Sequence, residues 1–147
     1  MRSVKISDYQ FIYECYQDWP PGNLGPVTLD IAILWTRRWM NRDDEKVLVL
    51  DIDGPVGFIK WRQKWLIAKV DNIVVHPSHR GKGYATRMMK ELHSKLAGEG
   101  VIVAEFDAIP GPIADMVLRG RFKKMDEKIG ETGLPVVVGA VTWDMEI

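Results

Sequence analysis

The sequence predicts an α/β domain in which helices flank a mixed, mostly antiparallel sheet, formed by residues 1–147 as a single unit. Three observations carry this expectation. Runs of β-branched and apolar residues of strand length recur between turn residues. Two other segments place apolar residues at helical spacing. The elements follow in the order β-α-α-β-β-β-α-β-α-β-β, which layers helices on a sheet.

Val4–Ile6 opens the chain as a short strand. Ser7 and Asp8 suit the cap of a helix over Tyr9–Asp18, and Trp19-Pro20-Pro21-Gly22 ends it because proline cannot continue a helix. After a Gly- and Pro-rich loop, Thr28 caps a second helix, with Asp30 placed against its positive end. Ile31, Leu34, Trp35 and Trp39 recur there at helical spacing. Lys46–Ile52, Val56–Trp61 and Trp65–Val75 read as three strands of an antiparallel meander, turning at Asp53-Gly54-Pro55 and at Arg62–Lys64. A further helix carries Ala85, Met88, Met89, Leu92 and Leu96 as one apolar stripe and stops at Gly98 and Gly100. Val101–Ala108 is a strand, Ile113–Arg119 a short helix, and Phe122–Lys128 with Val136–Met145 a closing pair of strands.

Composition narrows the function. The 147 residues hold 20 basic and 20 acidic side chains, a formal net charge of zero. A nucleic-acid partner is therefore not expected, because phosphate neutralisation needs a basic excess. Cys15 is the one cysteine, so no internal disulfide forms and no thiolate metal cage is expected. His76, His79 and His93 are not spaced as a ligand set, and no metal site is predicted. The N-terminal residues lack a signal-peptide apolar run, and no stretch reaches membrane-spanning length. A cytoplasmic protein without a membrane partner is the expectation.

The chemistry concentrates in Asn72-Ile73-Val74-Val75-His76-Pro77-Ser78-His79-Arg80-Gly81-Lys82-Gly83-Tyr84-Ala85-Thr86. The segment runs strand, tight loop, helix. Gly81 and Gly83 let backbone N–H groups close on a ligand. The helix N-terminus leaves N–H groups unpaired and carries partial positive charge. Arg80 and Lys82 add formal charge and Thr86 a hydroxyl, so the loop suits a pyrophosphate. It is not the nucleotide P-loop, which ends in Gly-Lys-Ser/Thr, nor the three-glycine dinucleotide fingerprint.

Arg80-Gly81-Lys82-Gly83-Tyr84-Ala85 matches Arg/Gln-x-x-Gly-x-Gly/Ala, the signature of the GCN5-related N-acetyltransferase family, which this chain resembles. Val74-Val75-His76-Pro77 resembles that family's strand end, and the element order agrees along nearly the whole chain. The resemblance implies acetyl-CoA as cofactor. It implies that the strand splays from its neighbour beside the loop, that Ile73, Val74 and Val75 touch pantetheine, and that Arg80, Gly81, Lys82, Gly83, Tyr84, Ala85 and Thr86 touch the phosphates. The implied reaction is direct attack of an amine, on a small molecule or a protein, upon the thioester.

An attacking amine must lose a proton, and a leaving thiolate can take one. Glu105, inside the apolar strand Val101–Asp107, is the first candidate base: burial beside a cofactor would raise its pKa. A rim glutamate facing water is the competing reading. Asp71 is the alternative base, or else a solvated strand residue. The family's Asn-x-x-Ala-x-x-x-Tyr-x-x-x-Gly-Phe is poorly matched after this strand, and Val117 stands in the tyrosine's place. Tyr84 could replace that acid, or pack over the cofactor or the sheet. The alternative function is a CoA-binding regulatory module without catalysis.

Six tryptophans are many for this length. Trp35 and Trp39 are candidates for an acceptor pocket, though the i,i+4 pair equally suits packing of one helix on the sheet. Edge strands near the C-terminus permit a homodimer.

Overall fold

The computed structural model describes residues 1–18, 26–108, 123–129 and 135–142. The elements are β1 (Arg2–Ser3), α1 (Tyr9–Cys15), α2 (Leu29–Asn41), β2 (Glu45–Asp51), β3 (Pro55–Lys64), β4 (Ile67–Val75), α3 (Tyr84–Gly98), β5 (Val103–Ala108), β6 (Lys123–Ile129) and β7 (Pro135–Thr142). They form one 7-stranded sheet in the order β1-β2-β3-β4-β5-β7-β6. Every neighbouring pair is antiparallel except β4 and β5, whose parallel run needs the crossover that α3 provides. The mixed, mostly antiparallel sheet and, among the described residues, the element order agree with the sequence reading. The helix expected over Ile113–Arg119 lies outside the described residues.

Boundaries differ where side chains override local pattern. The first strand is Arg2–Ser3 rather than Val4–Ile6. The Asp8 carboxylate accepts from the Lys5 N–H at 2.7 Å and turns the chain helical by Ile6. α1 stops at Cys15 rather than Asp18, because the next amides bond three residues back: Tyr16 N–H to Tyr13 C=O and Gln17 N–H to Glu14 C=O. Thr28 caps α2 as expected, accepting from the Ile31 N–H at 3.3 Å. The turn expected at Arg62–Lys64 is strand instead. Arg62 pairs in register with Lys69, and its guanidinium reaches Asp71 at 2.9 Å, so β3 runs on and reverses at Trp65. Trp65 takes a left-handed φ of 56° and is 87% exposed.

The sheet has a core on each face, and alternation along β3 and β4 feeds both. Ile59, Trp61, Val70, Ile73, Val75 and Phe106 meet Met88, Leu92 and Leu96 of α3. Phe58, Val74, Val47 and Val49 meet Phe11 and Ile12 of α1 and Ala32 and Trp39 of α2. The end of β4 is thereby clamped from both sides. Among the described residues no helix is long and apolar enough to cross a membrane.

Candidate active site

β4 and β5 pair only from Ile67–Val103 to Val70–Phe106. Beyond that rung β5 pairs with β7 alone and β4 with β3 alone, so the two strands part like a fork. At the fork β4 carries an extra residue: Lys60 lies opposite Asn72 and Trp61 opposite Val70, leaving Asp71 as a bulge. The His76 N–H donates to the Val56 carbonyl at 2.9 Å. By the alternation of an antiparallel ladder, His76 and Val74 therefore bond toward β3, while Ile73 and Val75 turn their N–H and C=O toward the side that β5 has left. The splay that the sequence resemblance implied is present. Ile73 and the Val75 N–H, rather than Val74, face it, the Val75 carbonyl being held by Arg80. Val74 has nothing to give, because its side chain is 2% exposed in the core and its amide belongs to the β3 ladder.

The open edge leads into the loop. Pro77–His79 makes one tight turn, then Gly81 and Gly83 adopt φ of +77° and +80°. A Cβ at either glycine would meet nothing within 4 Å. The protein's own packing does not require the missing side chains; left-handed backbone and open space do. Gly83 is the N-cap of α3 and supplies no side-chain cap. The first amides of α3, from Tyr84 to Thr86, thus face outward without a helix partner. Lys82 and Thr86 are exposed beside them. Unpaired amides, positive helix end and vacant volume are what a pyrophosphate needs, so the residues fit the cofactor that the motif implies.

Arg80 carries ties within the protein. Its Nε donates to the Val75 carbonyl at 3.2 Å and its two terminal nitrogens hold both oxygens of Asp18, one of them at 3.0 Å. The bond from Arg80 keeps the Asp18 carboxyl below the usual carboxylate range. The guanidinium ties the start of the loop to the end of β4 and to Asp18. His76 makes a second tie, Nε2 to Glu14 at 2.9 Å. That bond, then one from Gln10, lowers the pKa of Glu14. Between these ties Cys15 is fully buried, and burial pushes its thiol up to about 12, so it is no nucleophile.

Glu105 lies on β5 opposite Lys69, one residue before the last shared rung of the fork. It is exposed, while Ala104 and Phe106 beside it are buried in the core under α3. Of the two readings of its surroundings, the rim position is the one seen, and Glu105 faces out at the crotch of the fork. Asp71 is already engaged: it accepts from Lys60 at 3.1 Å and from Arg62 at 3.0 and 2.9 Å. Lys60 also reaches Glu45, which accepts from Arg38, so Asp71 belongs to a charge ladder across the sheet face. Tyr84 is half-buried against the core under α3, which favours packing over an acid role. The Trp39 ring lies in the core, 5.7 Å from Phe58 and 5.9 Å from Trp35, in keeping with the packing reading of the i,i+4 pair. Trp35 is half-buried on the same cluster. Val117 and Trp19 lie outside the described residues.

The sequence reading missed the ties from α1. Glu14 and Asp18 were legible only as polar helix residues, and no local signal pairs them with partners 62 residues away. Among the described residues no cluster of histidine, cysteine and carboxylate side chains could hold a metal ion.

Comparison with known proteins follows this geometry. The model of the acetyltransferase (GNAT) family matches residues 9–109. A curated relative, the uncharacterized N-acetyltransferase YjcF of Bacillus subtilis, is 32% identical over 75 residues, covering 48% of this chain and 54% of its own length. The match thus spans about half of that relative. The PaiA N-acetyltransferase from Thermoplasma acidophilum, solved in complex with coenzyme A, superposes with a TM-score of 0.70 at 12% identity over 97% of each chain. A ribosomal-protein-alanine N-acetyltransferase from Brucella melitensis superposes with a TM-score of 0.74 at 20% identity, over 97% of this chain and 98% of its own. At such identities these likenesses establish the fold.

Proposed function

The chain belongs to the acetyltransferase (GNAT) family, and on that premise we propose that it is an N-acetyltransferase carrying an acetyl group from acetyl-CoA to an amine of a small molecule or protein, as one domain in the cytoplasm. The single observation that supports the cofactor reading is continuity. The open edge of β4 runs straight into a glycine loop and an uncapped helix end.

In this reading the amides of Gly81 to Thr86 hold the pyrophosphate, and exposed Lys82 adds charge. The Ile73 and Val75 backbone lines the pantetheine arm. From Val75 back to Asp71 the open edge measures about 13 Å at strand rise, room along which an extended arm can lie. Bound there, acetyl-CoA supplies an activated thioester. The Val75 N–H, turned to the open side, is the donor available to the thioester oxygen as charge develops. Glu105, or a water that it orients, takes the proton from the attacking amine. Asp71 is the weaker candidate, because its oxygens already hold Lys60 and Arg62.

Calorimetric titration with acetyl-CoA, followed by a screen of amine acceptors, tests the proposal. Saturable binding with acetyl transfer supports it. Binding without turnover on any amine leaves a CoA-binding module, and no binding overturns the cofactor reading. Glu105→Gln is expected to lower kcat about a hundredfold and to flatten the acid side of the pH profile, with acetyl-CoA affinity unchanged. A profile that keeps its shape would remove Glu105 from the mechanism.

A further inference from the structure

The loop that precedes α3 is tied from outside the motif, and the ties come from one place. Glu14 in the last turn of α1 and Asp18 just beyond its end sit four residues apart, and His76 and Arg80 sit four residues apart across the turn that leaves β4. Glu14 holds the His76 Nε2 at 2.9 Å, which leaves Nδ1 to accept the Ser78 N–H at 3.1 Å. The His76 ring also stacks on Phe11 of α1, 5.9 Å between centroids and 14° from parallel. Asp18 takes the Arg80 guanidinium in a fork, and the third nitrogen of that group reaches the Val75 carbonyl. The last residue of β4 and the first of the glycine motif are thereby joined through one planar group.

We propose that Asp18 is a positioning residue for the cofactor loop, acting through Arg80. The inference rests on the cofactor reading given above. Asp18 orients the guanidinium, the guanidinium fixes the angle between the end of β4 and Gly81, and that angle aims the loop amides. A lysine would offer the same two acceptors a single rotatable ammonium, without the rigid plane that holds carboxylate and carbonyl at a fixed angle.

Two physical effects of removing the Asp18 charge have opposite signs, which makes the proposal decidable. Coulomb's law alone says that deleting a carboxylate near an anion site strengthens anion binding. Loss of aim weakens it. Titration of the unmodified chain, Asp18→Asn and Asp18→Glu with coenzyme A, together with steady-state kinetics, separates them. Asp18→Asn is expected to weaken coenzyme A binding about tenfold, the scale of a charge-assisted bond set. KM for acetyl-CoA should rise in step while kcat at saturation is kept. Asp18→Glu should recover part of the loss, and Arg80→Lys should resemble Asp18→Asn. Equal or tighter binding by Asp18→Asn would overturn the proposal and make Asp18 a mere competitor of phosphate for Arg80. So would a fall in kcat with KM unchanged. An unmodified chain that does not bind coenzyme A would overturn the cofactor reading itself, which is a different result.

Discussion

Gly83→Val should weaken coenzyme A binding a hundredfold or more while the protein remains folded. Gly83 caps α3 at φ +80° with no neighbour in the way of a Cβ. The side chain would stand in open space before the first amides of α3, where the anion must approach. Losing two charge-assisted amide bonds removes about 3–6 kcal/mol of binding, or a hundredfold or more in affinity. The backbone penalty of a left-handed valine is about 1–2 kcal/mol, tolerable within a total stability of about 5–15 kcal/mol. Circular dichroism melting and calorimetry on the same sample check both halves. Unchanged affinity would mean that the helix end is not the anion site.

Gly57→Ala should act in the reverse order, damaging the fold first and the site through it. Gly57 lies on β3 opposite Val75, and a Cβ there would come within 2.7 Å of the Val74 carbonyl oxygen and 2.9 Å of the Met88 side-chain end. Met88 can swing aside, but the Val74 carbonyl is backbone held in the ladder with β3. Either β3 or the end of β4 must shift, in a region buried on both faces. Overpacking of this kind costs about 1–3 kcal/mol. Because the displaced strand carries Val75 and starts the glycine loop, coenzyme A affinity should fall along with stability. Urea denaturation should give a lower midpoint. A variant as stable as the parent, binding coenzyme A equally well, would show that this packing does not set the position of β4.

The elements that local pattern encodes were legible. The stripe Met88, Met89, Leu92, Leu96 is helical in period and is buried as such. Thr28 caps its helix through a bond three residues on. Gly81 and Gly83 take the left-handed backbone that their type permits. Each depends on neighbours within a turn or two, so sequence alone carries the information. Misplaced boundaries trace to partners far along the chain. The cross-strand grip of Arg62 on Asp71 carries β3 past its expected turn, and Asp8 shortens the first strand while also binding Arg2.

The site divides in the same way. Sequence by itself determined the glycine loop, its place between a strand and a helix, and the family chemistry that such a loop implies. Those features are contiguous, and contiguous features print themselves on the chain. Only the tertiary structure decided which residues of β4 offer their backbone, since that follows from pairing with β3 and parting from β5. It paired Arg80 with Asp18, buried Trp39 in the core, and set Glu105 in the open at the crotch of the fork. Each outcome depends on which surface meets which across gaps of many residues. Charge and packing settle such meetings in three dimensions, where composition and period carry no trace of them.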